Sequence, residues 1–128
     1  MKKRLPVVVG LLALGVASAA LAGPREYLFQ DARICDTQGV FCFRGTMSYR
    51  SNPRLLSLRA RVQEAPGPGM LRIRLTGANE LGHVRFAPFE VEVDGNNSEI
   101  INHEMIPDYP DVLSWQVDSV QFVASEDT

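Results

Sequence analysis

The stretch RLLSLRARVQEAPGPGMLRIRLT, Arg54 to Thr76, decides the fold class. Its first part alternates: Leu56, Leu58, Ala60 and Val62 share one face, while Arg59, Arg61 and Gln63 take the other. The last part does the same, with Leu71, Ile73 and Leu75 on one side and Arg72 and Arg74 on the other. A period of two is the signature of a half-buried strand, because successive side chains point to opposite faces. Between the two runs lies EAPGPG, Glu64 to Gly69, in which two prolines preset φ and two glycines permit a reversal. Read locally, this is a β-hairpin whose two strands share a core face.

The same alternation extends in both directions. Upstream strands are expected at about Tyr27 to Cys35 and Val40 to Arg50. Downstream, a strand runs through His83 to Phe86 with Val84 and Phe86 inward. Pro88 interrupts that pattern, which resumes with Phe89, Val91 and Val93 inward and Glu90 and Glu92 outward. DGNNSE (Asp94 to Glu99) reads as a turn of the Asp-Gly type, Ile100 to Ile106 as a strand, and PDYPD (Pro107 to Asp111) as a rigid loop. In LSWQVDSVQFV the parity changes, since Leu113, Trp115 and Val117 are odd whereas Val120 and Phe122 are even. One extra residue near Asp118-Ser119 produces such a switch, so a β-bulge is expected there, with Trp115 in the core. Seven or eight short strands at roughly ten-residue spacing predict an all-β, single-domain antiparallel β-sandwich.

The two cysteines, Cys35 and Cys42, stand in ICDTQGVFCF (Ile34 to Phe43). A hairpin turning at Gln38-Gly39 puts them directly opposite each other, at a Cα separation a disulfide accepts. A redox pair of the thioredoxin kind needs C-x-x-C, and a zinc site needs two further ligands, for which only His83 and His103 exist, at the wrong spacing. The pair is expected to be one hairpin disulfide, which implies an oxidising compartment.

The N-terminus has the layout of a secretory signal peptide. Lys2, Lys3 and Arg4 precede an apolar run from Val7 to Val16, and Ala20-Leu21-Ala22 supplies a small-x-small cleavage site. We expect a signal peptide over residues 1–22 and a β-sandwich domain over 23–128, with a periplasmic or secreted location and no stable membrane span. Without the leader, ten arginines and no lysine face fifteen acids. No base lies beyond Arg85, so the chain is basic in its first part and acidic in the rest.

The hairpin reading brings Arg59, Arg61, Arg72 and Arg74 onto one outer face, with Arg85 joining from the next strand. Gathered guanidinium groups need anions. Glu90 and Glu92 have the right parity to supply them; otherwise an anionic envelope polysaccharide, a lipid phosphate or an acidic protein does. Nucleic acid is not expected, because the net charge is negative and aromatics do not interleave the arginines. The acids Glu104, Asp108, Asp111 and Asp118 lack a calcium-loop pattern, so no metal and no cofactor is expected. No G-x-S-x-G, H-E-x-x-H or phosphate-loop motif is present. The expectation is therefore a non-enzymatic binding module of the bacterial envelope, with binding residues Arg59, Arg61, Arg72, Arg74, Arg85 and Tyr109. The alternatives are a periplasmic inhibitor of a hydrolase acting through the Tyr109 loop and, less favoured, a small hydrolase built on His83 or His103.

Overall fold

The computed structural model describes residues 25–125. The leader expected over residues 1–22 lies outside them. Seven strands follow one another: β1 (Arg25–Cys35), β2 (Cys42–Ser51), β3 (Arg54–Glu64), β4 (Gly69–Ala78), β5 (Val84–Val93), β6 (Ile100–Met105) and β7 (Ser114–Ala124). They form two antiparallel sheets, one of order β1-β2-β3-β6 and the other β5-β4-β7. The protein is an antiparallel β-sandwich, and no helix among the described residues is long and apolar enough to cross a membrane.

The core is where the two alternating runs meet. Leu56, Leu58 and Val62 of β3 and Leu71, Ile73 and Leu75 of β4 are all fully buried, joined by Phe43, Met47, Phe89 and Trp115. At roughly 25 cal/mol per Å² of apolar surface removed from water, each such side chain contributes about 1.5–3 kcal/mol.

The parity of β3 and β4 holds, but their partnership does not. They face each other across the core instead of pairing edge to edge. β3 pairs with β2 and β6, whereas β4 pairs with β5 and β7. The Ala65–Pro68 segment thus carries the chain from one sheet to the other. Asp94–Glu99 crosses back between β5 and β6, and is likewise no hairpin turn. The tight reversals are β1–β2, β2–β3 and β4–β5. In the second, Ser51 opposes Arg54 around Asn52-Pro53, whose peptide bond is cis.

Pro88 does not interrupt its strand. It stands opposite Arg74 within a continuous β5, and β5 is an edge strand, where a residue with no N–H to give is tolerated. The two short strands expected there are therefore one, which settles the count at seven. Continuity also reverses the expected parity before the proline. Val84 and Phe86 face solvent, 54% and 60% exposed, and Arg85 takes the inward parity with Ala87 and Phe89. Leu113, expected inside, precedes β7 and is exposed. The expected bulge in β7 is present: Arg74 opposes Ser119 and Leu75 opposes Val117, which leaves Asp118 extra.

Cys35 and Cys42 are directly opposed and disulfide-bonded, with Cα atoms 4.1 Å apart. The turn they close is ordered by the buried Asp36. Its backbone N–H donates to the Phe41 carbonyl (2.9 Å), its carbonyl accepts from Gly39 N–H (3.0 Å), and its Oδ1 accepts from the N–H groups of Val40 (2.9 Å) and Phe41 (3.1 Å). In the chain-entropy account a bridge across so short a loop adds about 2–2.5 kcal/mol. The bridge fits an oxidising location, periplasmic or extracellular.

Candidate functional site

Outward residues of the four-stranded sheet fall into rows that run across the strands. One row is Arg33, Arg44, Arg61 and Ile100; the next holds Thr46, Arg59 and Asn102. A third is Tyr27, Ser48, Ser57 and Glu104, and a fourth begins with Arg25 opposite Arg50. This face therefore gathers six arginines from three strands.

Two of the six are neutralised locally. Arg33 donates to Glu64 Oε1 at 2.8 Å and to Gln63 Oε1 at 3.0 Å. Arg44 lies directly opposite Arg61, and like charges so placed cost a few tenths of a kcal/mol or more. Its guanidinium turns instead to Asp31, at 2.9 Å from the carbonyl and 3.6 Å from Oδ1. Asp31 is positioned to receive it by a β1 irregularity: its φ is +46°, and its N–H donates to Thr46 Oγ1 at 3.0 Å. That leaves Arg25, Arg50, Arg59 and Arg61 with no acid within ion-pair distance among the described residues; Arg59 and Arg61, both exposed, stand two residues apart on β3 beside Arg44.

Below Arg59 the sheet is hollow. Thr46, Ser48 and Ser57 are short, and the longer side chains of Arg25, Tyr27, Gln30, Arg59, Asn102 and Glu104 stand around them. The resulting trough has a volume of about 610 Å³. Glu104 accepts from the Ser57 hydroxyl at 3.4 Å.

The remaining arginines expected on this face lie elsewhere. Arg72 and Arg74 are on the outer face of the three-stranded sheet, with the whole sandwich between them and Arg59. There Arg72 Nε donates to Glu90 Oε2 at 2.6 Å, an internal neutralisation that parity alone had allowed. Glu92 takes no arginine among the described residues, and Arg74, opposite Pro88, has no acid partner there either. A single five-arginine face is therefore not formed.

Arg85 and Tyr109 instead meet at one end of the sandwich, where the β4–β5 turn lies against the β6–β7 loop. The Arg85 guanidinium sits 5.3 Å from the centroid of the Tyr109 ring and 3.7 Å from Asp111 Oδ2. Asn79 ties the two loops together: its Nδ2 donates to Asp111 Oδ2 at 2.8 Å, and its Oδ1 accepts from the N–H groups of Leu81 and His83. The Asn79 amide, then the nearby Arg85, hold the Asp111 carboxyl below its ordinary 3.8. His83 Nδ1 is 3.5 Å from Asn79 Nδ2, while His103 lies between the sheets, edge-on to Phe89 at 5.3 Å. The two histidines thus belong to different surroundings. Glu104, Asp108, Asp111 and Asp118 are not gathered, and no group of three or more His, Cys, Asp or Glu among the described residues is placed to hold a metal ion.

Tyr49 and Trp115 also carry polar atoms into the interior. Burial pushes the Tyr49 phenol up against the pull of Arg54 and of the Trp115 indole, although neither Tyr49 Oη nor Trp115 Nε1 reaches hydrogen-bond geometry with a partner among the described residues. Both atoms belong to the core, where Trp115 was expected.

Fold and surface define a class: among the described residues, a disulfide-stapled, seven-stranded antiparallel sandwich whose larger sheet displays guanidinium groups without an acid partner. No protein-family model matches the chain, and no curated protein or solved structure matches it either.

Proposed function

We propose that the chain is an exported, non-enzymatic binding module whose four-stranded sheet meets an anionic partner in the bacterial envelope. The observation that carries this reading is the pair Arg59 and Arg61, exposed and without an acid partner among the described residues, while neighbouring Arg33 and Arg44 are satisfied. Evolution of a sheet for stability alone has little use for two uncompensated guanidinium groups beside a third. Arginine suits the role because its planar fork binds carboxylate or phosphate through two hydrogen bonds. Export is supported by the disulfide and by the leader-like N-terminus.

Retention on immobilised heparin, used as a polyanion probe at low ionic strength, tests the reading. Arg59→Glu/Arg61→Glu is expected to abolish retention. Arg72→Glu/Arg74→Glu, which changes the net charge equally on the opposite face, is expected to leave it nearly unaltered. Equal losses from the two double variants would show that net charge, not this face, governs binding.

The tied loop end supports a second reading, inhibition of a hydrolase through the Pro107–Asp111 loop. Pre-ordering of Tyr109 by Arg85 and of Asp111 by Asn79 lowers the entropy cost of docking such a loop. Under it, Tyr109→Ala weakens inhibition of envelope hydrolases without lowering the melting temperature; inhibition that is unchanged removes the reading.

A further inference from the structure

Resting on the reading of the arginine face as an anion site, we infer that the trough beside Arg59 takes an acidic polysaccharide with carboxylates spaced along it, not a phosphate-dense partner. Four features of the trough select that ligand. The first is the distribution of charge. Arg25 and Arg59 stand at opposite corners, separated by two strands and by four residues along the strand direction. With strands about 4.8 Å apart and a rise of about 3.4 Å per residue, their Cα atoms are on the order of 15 Å apart. An extended chain carrying a charge at intervals can reach both corners.

The second feature is the floor. It is built from the hydroxyl residues Thr46, Ser48 and Ser57, not from aliphatic side chains. A ligand rich in hydroxyl groups exchanges hydrogen bonds with such a surface, whereas acyl chains gain nothing there. Third, Tyr27 stands on the wall with 48% of its surface exposed. Its flat ring supplies an apolar face for the C–H side of a sugar, and its hydroxyl gives that edge a group able to donate and accept.

The fourth feature works by exclusion. Glu104 projects into the same trough, steadied by the Ser57 hydroxyl. A carboxylate in that place accepts hydrogen bonds from sugar hydroxyls and repels any anionic group set directly against it, so the ligand's charges must fall at the arginine corners and its hydroxyls beside Glu104. A volume of about 610 Å³ also lies within the span typical of small-ligand sites, roughly 300–1,000 Å³. The trough is thus matched to a short run of sugar rings whose carboxylates reach the arginines while their hydroxyls meet the floor.

Calorimetric titration of the protein with short oligogalacturonates, at low ionic strength, tests the inference. The matched control is the same oligomer with its carboxyls methyl-esterified, which removes charge and little else. De-esterified oligomer is expected to bind at least about tenfold more tightly than the ester, the scale of one charge-assisted hydrogen bond. Arg59→Glu and Tyr27→Ala should each weaken it by a similar factor, with circular dichroism and melting temperature unchanged. Tighter binding of inorganic polyphosphate or of phosphatidylglycerol vesicles than of oligogalacturonate overturns the sugar assignment while leaving the anion-binding face intact. An absence of binding to all of these probes, together with heparin retention that ignores Arg59→Glu/Arg61→Glu, removes both.

Discussion

Phe41→Ala is expected to destabilise the protein by about 3–5 kcal/mol, the range for deleting a fully buried aromatic ring. Phe41 sits between the turn and β2, yet it has no solvent-exposed surface. Its ring stacks on Phe122 of β7, with centroids 4.6 Å apart and planes 5° from parallel, and lies 6.3 Å from Phe43. Its backbone is pinned by Asp36 on both sides. Alanine would therefore remove the contact that seats the disulfide hairpin on the opposite sheet, and the pinned turn has little freedom to collapse into the space. For a domain of this size the loss corresponds to a melting temperature lower by on the order of 15–30 °C. Phe41→Leu keeps most of the volume and should cost only about 1–2 kcal/mol. A denaturant midpoint that barely moves for alanine would mean that the hairpin does not rest on β7.

The second large effect concerns Gly95. Its φ is +84°, and a Cβ added there would lie 2.0 Å from the carbonyl carbon of Gly67, 2.1 Å from its oxygen and 2.5 Å from Pro68 N. All three are backbone atoms of the Ala65–Pro68 crossing, so no rotamer change relieves the overlap. The loop is also held from its own side: Glu99 accepts from the N–H groups of Asp94 (3.0 and 3.1 Å) and Gly95 (3.1 Å), while Ser98 N–H donates to the Val62 carbonyl at 2.7 Å. Gly95→Ala must part the two inter-sheet crossings, and a cost of about 3 kcal/mol or more is expected. Gly39 provides the control. Its φ is +74°, but nothing lies within 4 Å of an added Cβ, so alanine there meets only the left-handed backbone penalty of about 1–2 kcal/mol. Equal denaturation midpoints for the two variants would show that the crossings do not touch.

Gly95 illustrates what lay beyond a linear reading. Asp94-Gly95 has the composition of a tight hairpin, and the positive φ that such a turn needs is indeed there. The glycine serves a different end, the close approach of a second loop. A turn signal reports local backbone geometry; it does not report which strand the chain joins next. Pro88 erred in the opposite direction. A proline ends a central strand, but whether a strand is central depends on its neighbours, and β5 has only one.

The candidate site divides in the same way. Arg59 and Arg61 were legible because alternation with Leu58, Ala60 and Val62 forces them outward. Their companions Arg44, Thr46 and Ser48 carried a comparable signal, since they alternate with Phe43, Gly45, Met47 and Tyr49. The Asn52-Pro53 reversal makes β2 the sequential partner of β3, and taking it as a hairpin would have placed Arg44 beside Arg61. Tyr27 and Glu104 were out of reach. Their place in the trough depends on the β1 irregularity and on β6 returning to pair with β3.

What the sequence by itself determined is therefore a set of faces: which side chains turn inward in β3, in β4 and after Pro88 in β5, where β7 slips by one residue, and that Cys35 opposes Cys42. These follow from a repeat of two and from a short loop, both of which act between near neighbours in the chain. Only the tertiary structure decided the partners. Every strand offers two edges with equivalent backbone donors and acceptors, so hydrogen bonding alone does not choose among strands of matching polarity. The choice falls to the burial of all the apolar faces together, which is satisfied when β3 and β4 face one another across the core. That single outcome set Arg72 and Arg74 on the far side of the molecule and placed Arg59 above a polar trough.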